Sequence, residues 1–377
     1  MVMNEARLEE LGFDEKAILI AWLRRGSGEI GFDRPFTWMA LGVRGSGKSA
    51  LLERIGENYL EEGHAVLDLF GAKSAEGLGW LRSEWAKRGK VLCLTAPNCK
   101  AKVPNADTKP FTQLELDDFE EYDVVVNSCV FYENVDSEYE AVNKIVDLLW
   151  RRRGWRRLVY VLVREAANLI YSRLRLAETQ LQAKAFLAYW LREARHSGCS
   201  LALDSQRFMA IDVEVRSLVD FLFLKAQGME GLPDDLRFIY RYVEPTFLQY
   251  ARPDEFIILS RYGDLGYGVF SLPPWHVNEG EDLPSELGIE VEFEPREGVD
   301  RGKYRTVGDE EHASIVASYV EEGLSVQRLA EKFKRSTWTI HNVLKKHDFN
   351  VMTLGYCPAC RRAKGSFASR SVKRLFV

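Results

Sequence analysis

Thr37-Trp-Met-Ala-Leu41-Gly42-Val-Arg-Gly45-Ser-Gly47-Lys48-Ser49-Ala50-Leu51-Leu52-Glu53 is the stretch from which the rest of the chain is read. Five mostly apolar residues run into a glycine-rich octet, and an amphipathic run follows. Gly42 to Ser49 fits the pattern G-x-x-x-x-G-K-[ST], which at ordinary residue usage arises by chance in roughly one chain of this length per hundred. Its glycines let backbone N–H groups turn inward around a β-phosphate, and the start of the following helix adds positive potential. In that geometry Lys48 reaches the β- and γ-phosphates, and the Ser49 hydroxyl is placed to ligate Mg²⁺. The nucleotide-contacting set is therefore Gly42, Gly45, Ser46, Gly47, Lys48, Ser49 and Ala50, with ATP and Mg²⁺ as the expected ligands.

Working outward, short apolar runs alternate with amphipathic ones. Buried-strand patterns lie at Thr37 to Leu41, Ala65 to Phe70, Val91 to Thr95, Val124 to Asn127, Leu158 to Val163, Leu201 to Leu203 and Phe221 to Leu224. Helical periodicity marks Ser49 to Glu61, Tyr139 to Arg152 and Ala177 to His196. Ile257, Ile258 and Leu259 predict a late strand, then a glycine-rich turn and another strand. Strands alternating with helices of this length predict an α/β domain with a mainly parallel sheet flanked by helices. This domain is placed at 1–275, an acidic Glu/Gly/Pro-rich linker at 276–308, a small all-α domain at 309–349 and a basic tail at 350–377.

A second nucleotide element is sought at the end of a buried strand, where P-loop ATPases carry an Asp for the Mg²⁺ shell and often a Glu to polarise water. Leu158-Val-Tyr-Val-Leu-Val163-Arg164-Glu165-Ala166 offers Glu165 as the catalytic carboxylate but puts Arg164 where the Asp belongs. Asp204, ending Ser200-Leu-Ala-Leu-Asp204-Ser205-Gln206-Arg207, is the substitute acid for Mg²⁺, and Gln206 is placed to sense the γ-phosphate. Mg²⁺ held by Ser49 and waters alone is the alternative to Asp204, and a helix N-terminal acid is the plainer reading of Glu165. Arg216, in Asp212-Val-Glu-Val-Arg216, or Arg207 would serve as an arginine finger toward a neighbouring subunit, or stand as an ordinary surface arginine.

The order of these elements is phosphate loop, strand ending in Glu-Ala, strand ending in Ser-Gln-Arg, then Asp-x-Glu-Val-Arg before another strand. It resembles the HerA/FtsK superfamily of DNA-pumping ATPases, including those of archaeal viruses and plasmids, over about Phe36 to Lys225. The resemblance implies a RecA-like core, a hexameric ring and ATP-driven movement of double-stranded DNA. It also implies phosphate and Mg²⁺ binding at Lys48 and Ser49, catalysis at Glu165, sensing at Gln206 and a finger at Arg216. Arg164 departs from the pattern and predicts slow hydrolysis.

The 377 residues carry a formal charge of −5, but unevenly: residues 301–377 hold 15 Lys+Arg against 7 Asp+Glu, and the first 300 hold 36 against 49. A basic tail on an acidic body is the pattern of a separate nucleic-acid-binding module. Ser325 and Ser336 fit as N-caps of two short helices that follow a longer one from Asp309, with Ile315, Val316 and Tyr319 apolar on the first and Ile340, Val343 and Leu344 on the third. The segment Leu324 to His347 resembles resolvase- and transposase-type helix-turn-helix domains. That resemblance points Thr337, Trp338, Thr339, His341 and Asn342 at a major groove, behind Ser336, with Arg335, Lys345 and Lys346 on phosphates. A three-helix module for protein contacts is the plainer alternative. Tyr356-Cys357-Pro-Ala-Cys360 resembles half a zinc ribbon, leaving Zn²⁺, a redox pair or an idle pair open; the other four cysteines fit small core residues.

Too few cysteines for a disulfide scaffold, no apolar run of membrane-spanning length and no signal-peptide core predict a cytoplasmic protein. The combined expectation is a DNA-translocating or DNA-remodelling ATPase for genome packaging, plasmid transfer or segregation. The alternative is an ATP-gated DNA-binding regulator that hydrolyses little. A metabolic kinase leaves the basic tail unexplained.

Overall fold

The computed structural model describes residues 18–170 except 28–29, 72–74 and 154–155; positions 184, 190, 192 and 194; and 196–294 except 279. Toward the C-terminus it describes 309–333, 335, 339–340, 343–344, 356–357 and 362–363. The chain divides into two compact units, Met1–Pro295 and Arg296–Val377.

The first unit is built on one sheet. Its strands are β1 (Ile18–Arg24), β2 (Thr37–Leu41), β3 (Ala65–Phe70), β4 (Val91–Thr95), β6 (Asp107–Pro110), β7 (Val124–Asn127), β8 (Val159–Val163), β9 (Cys199–Ser205), β10 (Phe221–Leu224), β11 (Glu255–Ser260) and β12 (Leu265–Phe270), while β5 (Cys99–Lys102) stands outside it. Among the described residues the order is β1-β12-β11-β10-β2-β9-β8-β3-β7-β4-β6. From β10 through β6 every neighbouring pair is parallel, and β11, β12 and β1 extend that edge antiparallel. Strands β2, β3, β4, β7, β8, β9 and β10 are buried at every position. That is why they read as unbroken apolar runs: a parallel sheet is covered on both faces. This is a RecA-like α/β core, with one strand, β9, between the phosphate-loop strand β2 and the strand β8 that leads to Glu165.

Helix Lys48–Glu61 follows β2 and packs Leu51, Leu52, Ile55 and Tyr59 into the core. Tyr59 stacks on Tyr160 of β8 with ring centroids 4.9 Å apart, and Trp38 of β2 stacks on Phe221 of β10 at 4.8 Å. Such pairs add about 0.5–1.5 kcal/mol beyond their area, and they tie the phosphate-loop strand and helix to both flanks. Helix Val135–Trp150 begins at Asn134, whose side chain accepts the Ser137 backbone N–H at 2.9 Å. The helical stretch expected at Ala177 to His196 lies almost wholly outside the described residues.

The stretch expected to be linker from 276 onward departs from its composition-based reading. Val277 and Leu283 are buried, a short helix covers Leu283–Glu286, and β13 (Glu290–Phe293) pairs antiparallel with β5. Glu290 and Glu292 lie opposite Lys102 and Lys100 in that register. The acidic residues that suggested a solvated linker are cross-strand partners of lysines far away in sequence, and the first unit runs on to Pro295.

In the second unit, helices Asp309–Val320 and Val326–Lys332 are described, and Ser325 Oγ accepts the Arg328 N–H at 3.4 Å. Ile315, Tyr319, Leu329, Ile340, Val343 and Leu344 form its own apolar cluster. Tyr356–Cys357 pairs antiparallel with Arg362–Ala363. No helix among the described residues is long and apolar enough to cross a membrane.

Candidate active site

The phosphate loop leaves the end of β2, and its two neighbours fix its mouth. Gly42 N–H donates to Ser205 O at 3.2 Å and Val43 N–H to Ala226 O at 2.8 Å, so the loop is anchored on β9 and on the segment after β10. Gly47 has φ +80°, and a Cβ there would stand 2.2 Å from Pro253 O. Only glycine fits a left-handed backbone pressed that closely against another chain segment. Lys225 Nζ holds that segment from below, donating to Pro253 O and Glu255 O, both at 2.6 Å, and lies 4.6 Å from the centre of the Phe270 ring. Burial pushes the Lys225 ammonium down to about 7. Nothing local in the sequence marks Lys225 or Pro253, because they meet the loop across more than 170 residues.

Lys48, buried at the first turn of its helix, donates from Nζ to Val43 O at 3.0 Å. Ser46 Oγ is buried with no hydrogen-bond partner among the described residues. Ser49 Oγ donates to Asp204 Oδ2 at 2.9 Å, bringing together a hydroxyl and a carboxylate that sequence reading nominated separately. Asp204 also accepts the Glu165 backbone N–H through Oδ1. Its carboxyl is pushed up to about 6 by burial, with Lys48 opposing that shift and Glu165 reinforcing it. A buried carboxylate and a hydroxyl facing the loop are hard oxygen donors of the kind Mg²⁺ takes, one or two at a time, together with substrate phosphates.

Glu165 follows β8 with φ 44° and ψ 52°, a left-handed conformation that a non-glycine residue holds only under constraint. Its Oε1 accepts Gln206 Nε2 at 3.0 Å, so the end of β8 is tied to the end of β9. Lys48, Ser49, Asp204, Glu165 and Gln206 are thereby joined around one loop mouth by contacts running Ser49–Asp204–Glu165–Gln206.

Arg164 does not face that mouth. Its guanidinium is buried and bridges Asp68 (NH2 to Oδ2, 2.7 Å) and Glu53 (NH1 to Oε1, 2.7 Å). The position that looked like a defect in the metal site belongs to a separate ionic cluster.

Of the two finger candidates, Arg207 is exposed and lines, with Gln206, Val43, Phe208 and Arg237, a cleft of about 660 Å³ beside the loop. Arg216 is held inside the chain: its guanidinium lies 4.8 Å from the centre of the Phe208 ring and 3.6 Å from Asp235. In the second unit, Arg335 is engaged by Glu311 at 2.9 and 2.7 Å and Thr339 is half-buried. Ser336, Thr337, Trp338, His341, Asn342, Lys345, Lys346 and Cys360 lie outside the described residues, and Cys357 sits in the short pairing given above. Among the described residues no group of three or more His, Cys, Asp and Glu side chains is arranged to hold a metal. Cys93, Cys99 and Cys199 are free and buried and Cys129 is half-buried, as small core residues would be.

No family model matches the chain, and no curated protein matches it in sequence. Among solved structures it is similar to the genome packaging NTPase B204 from Sulfolobus turreted icosahedral virus 2 in complex with AMP. The identity is 17% and the TM-score 0.37, over 61% of this chain and 94% of that one. It is similar to the pCW3 conjugation coupling protein TcpA at 12% identity and TM-score 0.40, over 68% of this chain and 67% of that one. It is also similar to the cytoplasmic domain of the Thermomonospora curvata type VII secretion ATPase EccC at 11% identity and TM-score 0.36, over 64% of this chain and 24% of that one.

Proposed function

We propose that this chain is an ATP-hydrolysing motor that moves or remodels double-stranded DNA, working as a ring of copies and gripping DNA through its basic C-terminal unit. The observation that carries the catalytic part is the chain of contacts Ser49–Asp204–Glu165–Gln206 at the phosphate loop. A loop that only held a nucleotide would need Lys48 and Ser49, but not a carboxylate placed by an amide side chain beside them.

In this reading the backbone N–H groups of Gly45, Gly47 and Lys48 surround the β-phosphate, while those of Gly42 and Val43 keep the loop anchored, and Lys48 Nζ leaves Val43 O for the β- and γ-oxygens. Ser49 and Asp204 would hold Mg²⁺, which would supply charge neutralisation at the transferring phosphoryl group. Glu165 accepts a hydrogen bond from the attacking water and aligns it with the γ-phosphorus, and Gln206 fixes the carboxylate's orientation. Arg207, exposed at the cleft, is the better placed of the two arginines to reach a neighbouring copy's γ-phosphate. The DNA role rests on the net positive charge of residues 301–377. The alternative, an ATP-gated DNA-binding regulator that hydrolyses little, takes its support from Arg164 standing where an Asp is expected.

The test is ATP turnover with and without double-stranded DNA, beside a Lys48→Ala control. Turnover that rises several-fold with DNA and is abolished in the control supports the motor. Turnover equal to the control under both conditions overturns it.

A further inference from the structure

Resting on the catalytic reading of Glu165, we infer that Arg164 is a positioning residue, its guanidinium serving as the anchor that holds the strained Glu165 turn at the phosphate loop. Arg164 and Glu165 are adjacent in sequence, but their side chains go to different places. Arg164 Nε lies 3.2 and 3.0 Å from the two Asp68 oxygens, and its backbone N–H donates to Phe70 O at 2.8 Å, so both its ends are fixed to β3. Its NH1 reaches Glu53 at 2.7 Å, on the helix that begins at Lys48, and Glu76 lies at 3.5 Å. Asp68 in turn accepts Trp80 Nε1 at 3.1 Å, and Glu53 Oε2 meets His276 Nδ1 at 2.6 Å. Arg164, Asp68 and Glu53 are each at most 1% exposed.

The next residue carries the strain. Glu165 sits at φ 44°, and the Asp204 carboxylate holds its backbone N–H from outside the turn. A left-handed non-glycine residue persists where its surroundings over-determine it. The Arg164 fork supplies that constraint on one side and Asp204 supplies it on the other. Because the fork spans Asp68 and Glu53 together, it also sets the spacing between the Glu165 turn and the phosphate-loop helix. Desolvation lowers the tendency of Arg164 to hold its proton, but Asp68 and Glu53 outweigh it and keep the group charged. A lysine keeps the charge but cannot span both carboxylates.

Arg164→Lys and Glu53→Gln are the variants, each also made in a Glu165→Gln background, and the readouts are kcat, affinity for a non-hydrolysable ATP analogue and amide hydrogen exchange over 163–170. The expected result is a kcat lowered roughly tenfold or more, consistent with a misplaced catalytic group, with analogue affinity held within about threefold. The decrement should vanish in the Glu165→Gln background, and exchange over 163–170 should quicken while helix 48–61 stays protected. A folded Arg164→Lys with wild-type kcat overturns the inference, as does a loss of kcat and affinity together, or a decrement that persists undiminished in Glu165→Gln. If Arg164→Lys does not fold, Glu53→Gln decides, since it keeps volume and hydrogen bonding. If the wild type shows no Glu165-dependent turnover, the motor reading fails, and exchange over 163–170 alone decides whether Arg164 holds the turn.

Discussion

Asp204 is held where an isolated carboxylate is costly. It is 1% exposed, and burial raises it to about 6 from an ordinary value of 3.8. Near neutral pH the nucleotide-free protein therefore keeps a charged carboxylate in a site that disfavours it, at a cost of about 1–3 kcal/mol. Asp204→Asn is expected to raise the unfolding free energy of the nucleotide-free protein by that amount, read from urea unfolding, while Mg²⁺-dependent hydrolysis falls about a hundredfold. Loss of both stability and activity would instead make Asp204 an ordinary structural acid. The sequence nominated Asp204 because it ends an apolar strand, and that reasoning carried it to Ser49. It marked Arg164 as standing where an Asp is expected, but the sequence carried no signal for where the guanidinium goes. The partners that explain Arg164, Asp68 and Glu53, lie 96 and 111 residues away.

Between elements, the phosphate loop is gripped from two sides, and each grip makes a separate prediction. Gly45 and Gly47 both have positive φ, but a Cβ at Gly45 meets nothing within 4 Å, whereas at Gly47 it meets Pro253 O at 2.2 Å. Gly45→Ala should cost about 1 kcal/mol of backbone strain and weaken ATP-analogue binding modestly. Gly47→Ala must displace the 253 segment and should abolish binding in the same fluorescence titration. On the other side, the segment after β12 is strapped to helix Lys48–Glu61: Arg54 Nε donates to Ser271 O at 2.8 Å, Trp275 Nε1 to Glu57 Oε1 at 2.8 Å, and His276 meets Glu53. Burial lowers the His276 imidazole, but Glu53 outweighs it and holds the group above its ordinary 6.5. A raised folded-state value means the contribution is whole below 6.5 and is lost as pH rises through the folded value. Lys225, held down to about 7 by burial, acts in the opposite sense above that value, so the effect is read as a difference: the melting-temperature gap between wild type and His276→Gln should shrink as pH rises through the folded His276 value. The parallel strands β2, β3, β4, β7, β8, β9 and β10 were legible because burial on both faces writes them as unbroken apolar runs. Strands β1, β5, β6 and β13 were not: β5 and β13 hold each other through lysine–glutamate register, and one strand read alone looks like a charged loop.

At the scale of the whole chain, the uneven charge and the division into two units fall at nearly the same place. The basic excess belongs to residues 301–377, and the second unit begins at Arg296. Composition put the end of the first unit too early because it counted Glu, Gly and Pro without the surface they meet. Val277 is 6% exposed and Leu283 is fully buried, and both belong to the cluster that contains the phosphate-loop helix. Removing two such side chains costs about 1.5–3 kcal/mol each, and the loss of β13 leaves β5 without a partner. Two truncations separate the boundaries. A chain ending at Pro295 should keep the unfolding midpoint of the first unit, its ATP-analogue affinity and its DNA-independent turnover, while losing the salt-sensitive DNA binding that the basic residues supply. A chain ending at Trp275 should unfold about 3–6 kcal/mol more readily and, with the His276–Glu53 contact gone, lose hydrolysis ahead of nucleotide binding. Equal stability of the two truncations in urea would return 276–294 to the linker. Undiminished DNA affinity of the chain ending at Pro295 would move the grip on DNA from the basic unit to the acidic body.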